Sequence, residues 1–148
     1  MKSLVKANPD WFLYQLKKVK AFSVLSDAEL LKISEQMRSF DFKAGTTLVN
    51  QGESANLFFI VREGSVEVSV KKFFFREKRV AVLESGDYFG ESVLVSDSKR
   101  TATVTALTDT TCFVLLKPSF KSVLNQNALF KANMKVVFAR RKTQLNNA

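Results

Sequence analysis

The sequence contains no histidine and one cysteine among its 148 residues. Without histidine, imidazole acid–base catalysis and histidine-ligated metal sites are excluded. A single cysteine, Cys112, excludes an internal disulfide and a zinc site built from several cysteines. Because Cys112 lies in the apolar run 111–116, we expect a buried strand thiol rather than a reactive one.

Long apolar stretches are also absent, and none approaches the length needed to cross a bilayer. The first eight residues lack the apolar centre of a secretory signal. We therefore expect a chain that is not transmembrane and that resides in the reducing cytoplasm. The sequence shows no nucleophile–base pair and no metal-ligating cluster, so we do not expect an enzyme or a metal site.

The residues that are present suit one domain of ordinary size, since 46% of them are hydrophobic. The formal net charge of +9 favours anionic partners. A solvated basic surface explains that charge more simply than a dedicated nucleic-acid site does.

Helix signals dominate residues 1–39. Asn8-Pro9-Asp10 is typical of a helix start, with Asn8 as the cap and Pro9 at the first position. Residues 26–29, Ser-Asp-Ala-Glu, form a capping box ahead of a second helix. We expect N-terminal helices over 1–39, which either move with a ligand or only cover the edge of the core.

The periodicity changes to that of strands over residues 40–116. Strands are predicted at 46–49, 57–61, 66–70, 80–83, 101–107 and 111–116. Glycines punctuate these runs at turns. Many short strands separated by glycine turns indicate a β-sandwich or β-barrel.

Helical spacing returns over residues 117–148. Lys117-Pro118 ends the last strand, and Phe120, Val123 and Leu124 share one face of the following helix. Residues 125–127 interrupt it. A final helix over about 128–145 carries an apolar stripe that includes Val137 and Phe138. The predicted fold class is therefore mainly β with flanking α.

Residues 86–104, GDYFGESVLVSDSKRTATV, carry the chemistry. Gly90 lets the backbone approach a ligand closely, and the amides after it suit an anion if Ser92 to Val95 form a short helix. Arg100 offers a two-pronged donor to phosphate oxygens. Glu91 can accept hydrogen bonds from sugar hydroxyls. The pattern therefore predicts capture of a phosphorylated ligand.

These residues resemble the phosphate-binding cassette of the cyclic nucleotide-binding domain family, in which Phe-Gly-Glu and apolar residues precede a loop and an arginine. Residues 42–46, 50–53 and 58–70 follow the glycine and strand rhythm of that family, and the resemblance runs from about residue 24 to the C-terminus. It implies a jelly roll, or double-stranded β-helix, in a single domain over 1–148. The barrel would span 40–116, the cassette 86–104 and the C-terminal helices 117–148.

The resemblance also implies a regulatory sensor that binds cAMP or cGMP and does no chemistry. Glu91 would hold the ribose 2′-hydroxyl and Arg100 the cyclic phosphate, while Thr101 resembles domains that accept cGMP. We expect Arg100 to have no obligatory partner within the protein. The implied ligand-binding residues are Phe89, Gly90, Glu91, Ser92, Val93, Arg100, Thr101 and Ala102.

Two cassette positions depart from the family pattern. The family has an apolar residue where Ser92 stands and a small one where Val93 stands. Val93 could crowd the phosphate, and Ser92 could add a hydroxyl donor. The alternative is therefore a degenerate, ligand-free member that acts as a structural or protein-interaction domain.

The last helix is the expected output element. In the family it closes over the base or pairs two subunits, so Val137, Phe138 and Arg141 are candidate lid residues. A stripe that merely packs against the barrel explains them equally well. The expected partners are an effector protein or a second copy bound through this helix. No helix-turn-helix unit is expected, because few residues follow 145.

Residues 71–79, KKFFFREKR, predict a hairpin tip and adjoining strand ends. Neighbouring strand residues point to opposite faces, so the three phenylalanines do not all enter one core. This segment is either a docking or nucleic-acid surface or a twisted hairpin packed beneath a helix. We favour the packed hairpin.

Overall fold

The computed structural model describes residues 2–4, 9–18, 22–54, 56–72, 76–90 and 99–146. The strands are β1 Lys2–Leu4, β2 Arg38–Phe42, β3 Thr47–Val49, β4 Leu57–Glu63, β5 Val66–Val70, β6 Lys78–Leu83, β7 Tyr88–Phe89, β8 Thr103–Ala106 and β9 Thr110–Leu116. The helices are α1 Pro9–Lys18, α2 Asp27–Gln36, α3 Lys117–Gln126 and α4 Ala128–Asn146.

The strands form two antiparallel sheets. One sheet has the order β1-β2-β9-β4-β7, and the other has the order β3-β8-β5-β6. Every pair of neighbouring strands in both sheets is antiparallel. The predicted jelly roll with helices at both ends is confirmed.

Strand β4 lies between β9 and β7, and its side chains are buried on both faces, which separates the core into two layers. Phe59 and Val61 face the other sheet and pack in the cluster that contains Cys112. Phe58 and Ile60 point to the opposite face and pack in the cluster formed with the helices. Alternation along a strand produces this division, since successive side chains leave opposite faces.

The N-terminal region differs from the prediction of helices alone. β1 lies within residues 1–39, and β2 begins at Arg38 rather than at residue 40. Lys2 pairs with Phe40 and Leu4 pairs with Arg38. A three-residue edge strand leaves no periodic signal, because its pairing comes from a partner more than thirty residues away.

The predicted capping box of α2 is present. The backbone N–H of Glu29 donates to Ser26 Oγ at 3.1 Å, and that of Ser26 donates to Glu29 Oε1 at 3.0 Å. Leu30 and Ile33 lie on the buried face of the helix. Met37 is the C-terminal cap of this helix and is buried.

The break between the last two helices is an N-cap. Asn127 Oδ1 accepts a hydrogen bond from the backbone N–H of Phe130 at 2.9 Å, which satisfies a donor in the first turn of α4. Phe130 and Met134 are fully buried against the helical side of the core. Pro118 lies in the first turn of α3, which begins directly after the last residue of β9.

Two strands begin at other residues than the sequence predicts. β8 spans Thr103–Ala106, so residues 101 and 102 precede the strand predicted to begin at 101. β6 begins at Lys78, two residues before the predicted start. The three phenylalanines of segment 71–79 lie outside the described residues.

Candidate functional site

Gly90 follows β7 and has a positive φ of 88°, which other residues rarely adopt. A Cβ atom at this position would lie 2.6 Å from the Leu57 carbonyl oxygen and 2.8 Å from Arg100 Nη1. Both distances are shorter than real Cβ contacts, so only glycine fits without displacing its neighbours. Gly90 therefore brings the backbone directly against the guanidinium group of Arg100.

Arg100 lies largely inside the protein, with 7% of its surface exposed. Its Nη2 donates to the Leu57 carbonyl at 2.9 Å, and its Cζ lies 5.9 Å from the ring centroid of Phe59. These contacts fix one side of the guanidinium fork on β4. The expectation that Arg100 has no obligatory partner within the protein is therefore wrong. The sequence could not show this partner, because Leu57 lies 43 residues away along the chain.

The backbone of Arg100 is held as well. Its N–H donates to the Glu53 carbonyl at 2.7 Å, and its carbonyl accepts from the Gly52 N–H at 2.9 Å. The preceding residue, Lys99, is exposed and forms a β-bridge with Ser54. These two hydrogen bonds to the turn at residues 50–53 thus fix the backbone position from which the Arg100 side chain extends into the site.

Gln51 supports the same turn, and its role was missed in the sequence. Its backbone N–H donates to Thr103 Oγ1 at 3.0 Å. Its side-chain amide donates to the Lys71 carbonyl at 2.9 Å and accepts from the Lys71 N–H at 2.8 Å. The motif at 50–53 includes Gln51, but only the fold shows its contacts. Gln51 connects the turn that holds the Arg100 backbone to Lys71, at the start of segment 71–79.

Phe89, predicted among the ligand-binding residues, belongs to the core. It is 4% exposed, and its ring stacks on Phe59 with centroids 4.5 Å apart and planes inclined by 8°. The stack anchors the residue before Gly90. Phe89 therefore supports the site from behind, where its ring cannot face a solvent-filled groove.

Thr101 and Ala102 continue from Arg100 toward β8. Thr101 is partly buried and Ala102 is 8% exposed. A small side chain at 102 is compatible with close packing. The structure thus brings together Gly90, Arg100, Thr101 and Ala102 from two segments of the chain.

Other predicted positions are not described. Glu91, Ser92 and Val93, together with the predicted helical turn 92–95, lie outside the described residues. Val137, Phe138 and Arg141 belong to the backbone of α4, but their side chains lie outside the described part of the structure. Their predicted roles stay predictions.

Cys112 is buried within the sheet, as expected. Burial disfavours the thiolate and raises the pKa of the Cys112 thiol to about 12. In the described ranges, no group of three or more His, Cys, Asp or Glu residues could hold a metal ion. No helix in these ranges is long and apolar enough to cross a membrane.

A jelly roll in which a positive-φ glycine meets a buried arginine has the features of an anion-binding module. Residues 39–127 match the cyclic nucleotide-binding domain family. The match covers more than half of the chain, and the chain belongs to this family.

Relatives and solved structures agree with this membership. A cGMP-dependent protein kinase of Plasmodium berghei is 34% identical over 111 residues, which cover 75% of this chain and 12% of the kinase. A cAMP-dependent protein kinase regulatory subunit of Yarrowia lipolytica is 37% identical over 109 residues, covering 74% of this chain and 28% of the subunit. The chain therefore spans only a small part of these relatives.

The fold is also similar to a solved structure of the regulatory domain of Toxoplasma gondii PKA with cAMP. The sequences are 25% identical and the TM-score is 0.76. The similarity covers 82% of this chain and 47% of that chain.

Proposed function

We propose that this domain binds cAMP or cGMP at the 86–104 cassette and acts as a regulatory module without chemistry of its own. The observation that carries the proposal is the contact between Gly90 and the guanidinium of Arg100. A phosphate requires both a charged donor and a close backbone approach, and this arrangement supplies the two together. The kinases and regulatory subunits named for cGMP or cAMP support the same ligand class.

Each cassette residue has a part in the proposed complex. Arg100 pairs with the cyclic phosphate, since one end of its planar fork is already oriented by the Leu57 carbonyl. Backbone amides near Gly90 and Ser92 complete the anion site. Glu91 accepts from the ribose 2′-hydroxyl, and Thr101 contacts the base. The order of preference between cAMP and cGMP is left open.

The proposed output route is the C-terminal helix pair. The Asn127 side chain caps α4 and also donates from Nδ2 to Glu29 Oε2 at 3.4 Å. A shift of α4 would therefore change the hydrogen bond between Asn127 and Glu29 on α2. The ligand can bias these helices only through its differential affinity for their arrangements. The effector is proposed to be a cytoplasmic protein or domain, such as the catalytic part of a kinase.

Calorimetric titration of the chain with cAMP and with cGMP tests the ligand. We expect saturable binding of both, and much weaker binding of 5′-AMP, whose acyclic phosphate carries an additional charge and a different shape. A matching rise in the melting temperature should accompany saturation, because a ligand that binds only the folded state stabilises it.

The alternative is a degenerate domain that binds no cyclic nucleotide, and the sequence departures at Ser92 and Val93 favour it. Absence of heat and of any thermal shift with both nucleotides at millimolar concentration would establish that alternative. The single variant Val93→Ala then distinguishes its cause. Binding gained by this variant would show that the larger side chain crowds the phosphate position.

A further inference from the structure

The outward face of α4 carries a second apolar stripe. It consists of Leu129, Ala132, Val136 and Ala139 and is continued by the threonine Thr143, and all five residues are exposed. Leu129 is 60% exposed and Val136 is 51% exposed. Large aliphatic side chains with this much exposed surface, aligned along one helix, indicate a contact surface.

This stripe is separate from the face that holds α4 to the domain. Phe130 and Met134 are buried in the core shared with α3 and Phe22. One hundred degrees of rotation separate Leu129 from Phe130 on a helix. Across the described side chains, α4 is therefore apolar on two sides, and packing within the domain explains only one of them.

The exposed stripe has the spacing of a helix-pairing seam. Its members follow one another at intervals of three, four, three and four residues, which is the a/d pattern of a heptad repeat. Ala132 and Ala139 at the alternate positions permit close approach of a second helix. A membrane-surface helix would instead need a broad face of large apolar residues, whereas only two of these five positions, Leu129 and Val136, carry one.

The charge around the seam indicates what the second helix carries. Residues 117–148 contain seven of the 23 Lys and Arg residues and none of the 14 Asp and Glu residues. This segment therefore has a formal charge of +7, which leaves +2 for residues 1–116. Lys135 and Arg140 are exposed and occupy the g and e positions that flank the stripe.

A second copy of this chain is a poor occupant. In a parallel pair, Lys135 at g would face Arg140 at e of the partner helix, and an antiparallel pair would oppose lysine with lysine and arginine with arginine. Like charges in these positions are unfavourable, and the +7 segments would repel each other as a whole. The same positions would form ion pairs with Glu or Asp on a different helix.

We propose that the exposed stripe of α4 docks an acidic amphipathic helix of another protein, with apolar residues at its a and d positions and Glu or Asp at e and g. Of the two partners that the sequence left open for the C-terminal helix, the proposal favours another protein over a second copy. The inference names the partner class for the output helix of the proposed function. Its test is made without nucleotide, so failure to bind a peptide and failure to bind a nucleotide are separate results.

The probe is a synthetic peptide of roughly three heptads with Leu at a and d and Glu at e and g. Its binding to the full chain is measured by fluorescence anisotropy at low and at physiological salt. We expect saturable binding that weakens as salt rises, because the flanking ion pairs are exposed. A scrambled peptide of the same composition keeps the charge and removes the seam, and it should bind at least about tenfold more weakly.

Matched variants locate the surface. Leu129→Gln and Val136→Gln should each weaken the peptide at least about threefold, and the double variant at least about tenfold. Leu116 is 58% exposed and lies outside α4, so Leu116→Gln is the control for a lost exposed leucine. This control should leave peptide binding unchanged. All the variants keep the net charge, so general attraction to an acidic peptide is held constant.

Several results would overturn the proposal. Equal binding of the scrambled peptide, or equal losses in Leu116→Gln and Leu129→Gln, would leave only nonspecific charge attraction. If sedimentation equilibrium shows that the parent chain is a dimer and that Val136→Gln is a monomer, the stripe binds a second copy of the chain. Binding to phosphatidylserine vesicles that depends on Leu129, without peptide binding, would assign it to a membrane.

Discussion

Arg100 has a structural contact as well as the proposed role in phosphate binding. Its guanidinium donates to the Leu57 carbonyl and lies largely buried beside the Phe59 ring. Removal of the side chain would leave that carbonyl without this donor. Affinity and stability must therefore be measured together for any variant at this position.

Arg100→Leu should lower affinity for both nucleotides by about 2–5 kcal/mol, which is at least tens-fold, because the buried anion loses its charged partner. The loss of the Leu57 hydrogen bond should cost about 1–3 kcal/mol of unfolding free energy. Arg100→Lys should restore part of the charge but not the fork. Calorimetric titration and urea unfolding measure the two effects.

The control is Arg38→Leu, which removes an exposed arginine from β2. It should leave affinity unchanged apart from a small loss of long-range attraction. If folded Arg100→Leu binds both nucleotides within about threefold of the parent, the phosphate does not sit beside Arg100.

Gly90 and Gly45 form a matched pair of tests. Both have a positive φ, 88° and 89°, but nothing lies within 4 Å of a Cβ at Gly45. Gly45→Ala should cost about 1–2 kcal/mol of stability, the cost of the backbone conformation alone. Gly90→Ala should cost clearly more, since its Cβ would meet the Leu57 carbonyl and Arg100 Nη1.

Thermal unfolding and nucleotide titration of the two alanine variants separate strain from site geometry. We expect affinity to fall in Gly90→Ala and to be retained in Gly45→Ala. Equal stability losses in both variants would mean that the contact at Gly90 relaxes without cost.

At the scale of elements, the capping box connects α2 to the start of α4. The hydrogen bond from the Ser26 backbone N–H is the main cause that lowers the pKa of Glu29 below its ordinary value of 4.5, and the Asn127 amide lowers it further. A lowered folded-state pKa gives stability that is present above the unfolded value. That stability is lost as pH falls through the folded pKa.

We therefore expect part of the stability loss on acidification below about pH 4.5 to come from Glu29. Glu29→Gln should flatten the dependence of the unfolding free energy on pH in this range. Glu35→Gln removes a carboxylate from the last turn of the same helix and serves as the charge control. Urea unfolding at successive pH values provides the measurement, and parallel curves for Glu29→Gln and the parent would contradict the assignment.

The last helix is the second prediction at this scale. If nucleotide binding changes how α4 sits against the barrel, amide hydrogen exchange along residues 131–144 should slow at saturating ligand. The amide of Phe130, which donates to Asn127 Oδ1 ahead of the measured range, gives a local reference for the first turn. Unchanged protection along the helix, with nucleotide binding demonstrated, would leave the module without this output route.

At the scale of the whole molecule, Cys112 reports on the integrity of the core layer between the two sheets. It lies on β9, between β2 and β4 in the five-stranded sheet, and has no exposed surface. Its thiol pKa of about 12 leaves almost no thiolate at pH 8. We expect Ellman's reagent to react only at the rate of global unfolding, and completely in guanidinium chloride. Rapid reaction of the native chain would show that the sheet opens locally.

Several parts of the fold were predictable because their signals are local. The capping box of α2 and the asparagine before α4 satisfy backbone N–H groups within three residues, and the proline at the start of α1 has no N–H that needs a partner. Six strands, β3, β4, β5, β6, β8 and β9, leave alternating or continuous apolar runs, whereas β2 and β7 were not predicted as strands. β1 could not be found this way, since three residues carry no periodicity and their hydrogen bonds go to β2.

The candidate site also has a part that could be predicted from local sequence and a part that could not. Gly90 and Arg100 were predicted from one short segment, whose residue types are constrained by the chemistry of a phosphate. The support from Leu57, Glu53 and Gln51 was not predicted, because those contacts cross between segments.

The sequence by itself determined the helix ends, the strand-rich centre and the cassette, because propensity, capping and spacing act over a few neighbouring residues. The tertiary structure alone decided that the Leu57 carbonyl orients Arg100 and that Phe89 lies in the core. It also decided which of the two apolar sides of α4 faces solvent. These outcomes depend on how distant segments meet, and that arrangement is set by the packing of the two sheets and the helices as one body.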